Sequence, residues 1–93
     1  MNKKLMDENI DNLFQGILKI ETIEECRNFF EDLCTISELQ SMAQRFEVAL
    51  MLDENEIYNE ISAKTGASTA TISRIASILK TSLFIVRKVP LPL

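Results

Sequence analysis

The sequence predicts an all-α fold, and three observations carry that prediction. Helix breakers are scarce, with two glycines and two prolines in 93 residues, and Pro90 and Pro92 both fall in the last four positions. Apolar residues recur at spacings of three and four, the period of a helix face. Two stretches of the form Thr-x-x-Glu, Thr22-Ile23-Glu24-Glu25 and Thr35-Ile36-Ser37-Glu38, each stand directly before an apolar-periodic run. A chain this short, 46% hydrophobic and 26% charged, reads as one ordered domain spanning residues 1–93.

The first helix is expected from about Asp7 to Lys19, because Ile10, Leu13, Phe14, Ile17 and Leu18 form one stripe at i, i+3, i+4, i+7 and i+8. In the first capping box the Thr22 hydroxyl can accept from the backbone three residues on while Glu25 reaches back. It opens a second helix with Ile23, Cys26, Phe30, Leu33 and Cys34 on one side, broadened by Phe29. The second box, at Thr35, opens the longest helix, to about Leu52. Its Leu39, Met42, Ala43, Phe46, Ala49 and Leu50 are expected to face inward, with Val48, Met51 and Leu52 adding apolar surface elsewhere. Asp53-Glu54-Asn55-Glu56 ends it in a polar turn. Residues 7–52 thus present more apolar helix surface than one small core absorbs, and homodimerisation is the natural outlet.

No window reaches the roughly 18–20 uninterrupted apolar residues of a membrane span, and the two lysines near the start have no apolar run behind them, so a cytoplasmic location is expected. Cys26 and Cys34 read as small core residues. With no histidine and no CxxC pair, neither a metal site nor any other cofactor is expected. The net charge of −4 at first argues against nucleic acid. Its distribution reverses that argument. Residues 1–56 carry five basic against thirteen acidic side chains, a net of −8, whereas residues 57–93 carry five basic against Glu60 alone, a net of +4. Salt screens charge beyond about 8–10 Å, so phosphate attraction is local and a basic C-terminal half can bind DNA while the acidic half faces away.

Within that basic half, Tyr58 to Ser77 meets the steric demands of a helix-turn-helix, here placed at 57–79. Counting Tyr58 as position one, Ser62 at five is small where two helices must cross. Gly66 at nine supplies the positive φ of the turn. Ile61, Ala67, Ile72 and Ile75 at four, ten, fifteen and eighteen would close a miniature core, and Ser68 is a favourable N-cap for the second helix. That helix presents Ser68, Thr69, Ala70 and Thr71 on its first turn, with Ser73 and Arg74 one turn later. Short hydroxyls approach a groove closely and bond bases or phosphates, and the methyls of Thr and Ala suit a thymine methyl. Arg74 is the best single candidate for a guanine or phosphate contact. Lys64 and Lys80 are assigned as phosphate neutralisers. Residues 80–93 form a C-terminal helix or tail, where paired prolines forbid a regular helix at the end.

The run Phe29-Phe30-Glu31-Asp32-Leu33-Cys34-Thr35, then Glu38-Leu39-Gln40-Ser41 and Ala43-Gln44-Arg45, then Gly66 through Arg74, resembles the YerC/YecD branch of the Trp repressor superfamily. The likeness covers roughly residues 10–82. It implies a TrpR-like intertwined helical dimer whose N-terminal helices share one core, with each chain offering its helix-turn-helix to successive major grooves. It also implies an effector pocket at Thr35, Arg45, Thr71 and Arg74, matching positions that hold L-tryptophan in the Trp repressor. Two departures disfavour that corepressor. A glycine of the family pattern is Ile75 here, whose branched side chain fills ligand space, and a serine that holds the ligand's amino group is Ile78, which cannot hydrogen-bond through its side chain.

The resulting expectation is a cytoplasmic, homodimeric, sequence-specific transcriptional regulator of double-stranded DNA, without a membrane association, with any effector unidentified. Helix-turn-helix dimers, Trp repressor among them, read half-sites about 34–36 Å apart. A rival class is a helical protein-interaction module in which DNA binding is vestigial. An enzyme is not expected, for there is no histidine, no Gly-rich phosphate loop and no nucleophile–base pair at readable spacing.

Overall fold

A computed structural model describes residues 3–80, with side chains from Asp7 onward. Five helices follow in order: α1 Lys3–Leu18, α2 Ile23–Leu33, α3 Ile36–Asp53, α4 Tyr58–Thr65 and α5 Thr69–Leu79. Among the described residues there is no strand, so the fold is all-α, and no helix is long and apolar enough to cross a membrane. The chain divides into two compact units, Met1–Thr35 and Ile36–Leu93.

In the first unit α1 begins about a turn ahead of the expected Asp7 and ends one residue before Lys19. The Thr22 hydroxyl accepts from the amide of Glu25 at 3.1 Å, as the capping box requires, and Glu24 and Glu25 place negative charge on the positive first turn of α2. The return bond is shifted by one residue. Glu25 Oε1 accepts from the amide of Glu21, not of Thr22, at 2.9 Å. Phe29 and Phe30 meet edge to face, ring centroids 5.2 Å apart. A β-carbon at Gly16 would lie 3.6 Å from the Phe29 ring, so the ring rests over that glycine. No residue of α2 is fully buried, and Cys26 and Cys34, expected in a core, are half-buried free thiols.

The second unit holds the buried core. Helices α3, α4 and α5 pack pairwise on one another, and Val48, Ala49, Met51, Ile61, Ala67, Ile72 and Ile75 form one cluster with Leu52 and Leu79 against it. This corrects the expected facing of α3. Its last two turns are buried on several sides, Val48 and Met51 included, because α4 and α5 pack around them. Met42, Ala43 and Phe46, expected to face inward, are exposed within the single chain, and Leu39 is half-buried.

The polar turn after α3 is a Schellman motif. Asn55 adopts a left-handed φ of 63°, its amide donates to Leu52 O, and the amide of Glu56 donates to Met51 O at 3.2 Å. Asn tolerates this region better than most residues, so the turn closes without a glycine. The predicted tail beyond Lys80 lies outside the described residues.

Candidate nucleic-acid interface

The turn between α4 and α5 is built by side chains that replace missing backbone bonds. Gly66 caps α4 with φ 77° and ψ 1°, its amide donating to Ser62 O at 2.8 Å. That is the left-handed backbone expected of position nine, where a side chain is strained. Ser62, chosen for its size, does more: its hydroxyl donates to Ala67 O at 2.7 Å across the turn. Thr65 Oγ1 donates to Ile61 O and accepts from the Ala67 amide, tying the last turn of α4 to the chain beyond Gly66. From α3, Gln44 Nε2 donates to Thr65 O at 3.0 Å. The sequence reading missed Thr65 and Gln44. A hydroxyl beside a turn glycine is a usable local signal for the first, but nothing local marks a partner twenty-one residues away.

Helix α5 starts where the sequence placed it. Ser68 sits in extended backbone and its Oγ accepts from the Thr71 amide at 3.1 Å, satisfying one of the free amides at the helix start. The same hydroxyl donates to Thr71 Oγ1 at 3.1 Å, which leaves the Thr71 proton directed to other acceptors. Ile72 and Ile75 point into the core, with Ile61 and Ile72 at 0% exposure, and Ala67 joins them. The four predicted core positions of the motif are therefore all buried.

Rotation at 100° per residue then turns Ala70, Ser73 and Arg74 to solvent, and all three are exposed, as are Ser68, Thr69, Lys64 and Lys80. Thr71 is half-buried. Thr69, Ala70, Ser73 and Arg74 thus lie on the accessible arc of α5, with the exposed N-cap Ser68 just ahead of it, a surface of short hydroxyls with one guanidinium. Lys64 is differently placed. Its Nζ donates to Glu56 Oε1 at 2.6 Å, and that bond, followed by the charge of Glu56, raises the Lys64 pKa above its ordinary 10.5.

A groove of about 270 Å³ lies between α3 and α5, lined by Met42, Arg45, Phe46, Ala49, Ile75, Ile78 and Leu79. Of the four proposed effector residues, Arg45 alone lines it. Thr71 and Arg74 lie on α5 outside its lining, and Thr35 belongs to the other unit. Ile75, expected to fill the space of an indole, and Ile78, expected to leave a ligand's amino group without a side-chain partner, are both in its wall.

The family model described as Trp repressor protein matches residues 8–83. The chain is similar to protein YerC of Bacillus subtilis (strain 168), itself uncharacterised, with 55% identity over 76 residues that cover 82% of this chain and 73% of YerC. Among solved structures it is similar to a TrpR-like protein from Eubacterium eligens ATCC 27750, at 52% identity and a TM-score of 0.77, covering 84% of this chain and 80% of that one. It is also similar to a protein from Staphylococcus aureus described as a candidate Trp repressor, at 45% identity and a TM-score of 0.78, covering 88% and 82%.

Proposed function

The chain belongs to the Trp repressor family, and we propose from that premise that it is a sequence-specific transcriptional regulator that reads a palindromic operator as a homodimer. The observation that carries the reading is the outer side of α5. A helix with two isoleucines in the core, four small or basic residues on its accessible side and the exposed Ser68 at its N-cap offers the hydroxyl-and-arginine surface that major-groove readout uses. Ser68, Thr69, Ala70, Thr71 and Ser73 approach base edges or phosphates, Arg74 supplies the bidentate donor, and Lys80 supplies a charge at the end of the helix.

The dimer is supported by apolar side chains that a lone chain leaves in water. Phe14, Leu18, Ile23, Leu33 and Ile36 are each more than half exposed, Leu18 to 77%. Surfaces of this kind mark an interface. A second copy is the partner such a family and a palindromic site both call for. The solution mass should be twice the 10.6 kDa of the chain.

L-tryptophan is not the effector in this reading. The groove between α3 and α5 is apolar apart from Arg45, and Ile75 and Ile78 occupy its wall. Calorimetry with L-tryptophan should therefore show no saturable heat, and a saturable isotherm would overturn the steric reasoning.

The decisive test is selection of bound duplexes from a random pool, followed by binding measurements on the selected sequence. A palindrome with half-sites about one helical turn apart is expected, bound less tightly at higher salt. Arg74→Ala should weaken it by about 1–3 kcal/mol and relax the preference at one position per half-site. Enrichment of no sequence, together with salt-independent capture of a protein partner, would instead favour a protein-interaction module.

A further inference from the structure

Lys64 is the cation of the helix-turn-helix that the protein already neutralises itself. Its ammonium is bonded to Glu56, and the carboxylate of this pair is the better anchored partner. The Glu56 amide is fixed to Met51 O by the turn that Asn55 closes, and its side chain is 19% exposed against 59% for that of Lys64. The more exposed lysine side chain therefore reaches back to the less exposed acid. Glu60 and Glu54 add to the negative potential around it.

We propose that Glu56 is an internal competitor for Lys64, holding the ammonium that a DNA phosphate would otherwise take and so lowering the sequence-independent part of the DNA affinity. The inference rests on the DNA-binding reading above. Carboxylate and phosphodiester oxygens are both acceptors of a charge-assisted bond from an ammonium. A phosphate that recruits Lys64 must first break the bond to Glu56, and the acid left behind repels that same phosphate. Affinity from counterion release counts only cations that are free to neutralise the duplex. Lys64 adds little to that count while paired. Base-reading contacts from α5 are untouched, so the device lowers the affinity for operator and bulk DNA alike and leaves their ratio to the bases read by α5.

The test uses the full chain and a mixed-sequence duplex of about 40 base pairs, with affinity followed by fluorescence anisotropy across a salt series. Glu56→Gln keeps the shape and removes the charge. One released phosphate contact corresponds to a gain of roughly fivefold to tenfold at about 0.1 M salt and a slope of log K against log salt steeper by about 0.9. Lys64→Met alone should change affinity by less than about twofold, whereas the same change made together with Glu56→Gln should erase the gain. Tightening that survives in the double variant would mean simple removal of repulsion and would overturn the proposal, as would an unchanged Glu56→Gln affinity in a chain that binds DNA. Absence of any salt-dependent affinity in the unaltered chain would remove the DNA-binding reading, and the proposal with it.

Discussion

Substitution at Gly66 isolates what the backbone of the turn demands from what space allows. The residue has φ 77°, and a β-carbon there would meet only Gln44 Nε2 at 3.7 Å, an ordinary van der Waals contact. Any penalty is therefore conformational. Left-handed backbone destabilises an alanine by about 1–2 kcal/mol, while asparagine, which visits this region more readily, loses less. A β-branched valine is further restricted, and about 2–3 kcal/mol is expected for it. At roughly 4–8 °C per kcal/mol for a domain of this size, melting should fall by about 5–15 °C for Gly66→Ala, 10–20 °C for Gly66→Val and only a few degrees for Gly66→Asn. The assay is thermal unfolding followed by far-ultraviolet circular dichroism at one fixed protein concentration, since association makes melting concentration-dependent. The order Asn, Ala, Val is the diagnostic. A valine variant melting within about 2 °C of the unaltered protein would refute the left-handed turn, and asparagine losing as much as valine would point to crowding instead.

Ser68 separates stability from recognition: Ser68→Ala should lose about 1 kcal/mol with the N-cap bond, whereas Ser68→Asp should keep the cap and thermal stability yet weaken DNA binding by placing a carboxylate where phosphates approach. Equal DNA affinity for the Asp variant would remove Ser68 from the interface. Ile72, fully buried at the centre of the cluster, should lose about 2–5 kcal/mol on change to Ala in chemical unfolding, and a loss under about 1 kcal/mol would mean the cluster collapses around the gap. The Lys64–Glu56 pair has a defined pH sign. Because the folded pKa of Lys64 is raised above 10.5, its contribution is fully present from neutral pH up to about 10.5 and is lost as pH climbs through the folded value. Between neutral pH and strong alkali, the stability difference between the unaltered chain and Lys64→Met should accordingly stay flat at first and shrink as the lysine loses its proton; shrinkage near neutrality would contradict the pairing.

The parts of this fold that could be read in advance are those whose determinants lie within a few residues. Thr22 caps α2 and Ser68 caps α5 because a hydroxyl three residues ahead of a free amide has few competing uses. Gly66, Ile61, Ala67, Ile72 and Ile75 were legible because the helix-turn-helix puts steric demands at fixed offsets. The facing of α3 was not. Its apolar residues run around the helix rather than along one stripe, so periodicity could not tell which end α4 and α5 would cover: Ala49 and Leu50 are buried as expected, Val48 and Met51 are buried with them, and Met42, Ala43 and Phe46 are not. The Schellman turn was hidden because Asn commits to positive φ far less than Gly does. Gln44 and Glu56 escaped for a different reason, since their partners are set by how helices pack and by a reversal of the chain.

The rotational setting of α5 ties the candidate interface to the core more closely than either does alone. Ile72, Ile75 and Leu79 follow at i, i+3 and i+7 and face the cluster, which fixes the opposite arc on Ala70, Ser73 and Arg74. A shift of one residue in where α5 begins turns the helix by 100°, bringing Ser73 toward the core and an isoleucine toward solvent. The Ser68 cap and the Gly66 turn prevent that shift, one by choosing the first helical residue and the other by aiming the chain into it. Substitutions at Gly66 should therefore impair DNA recognition beyond what their loss of stability explains, even at temperatures where the variant is fully folded. Equal operator affinity for folded Gly66→Ala and the unaltered chain would show that α5 takes its rotation from the isoleucines alone.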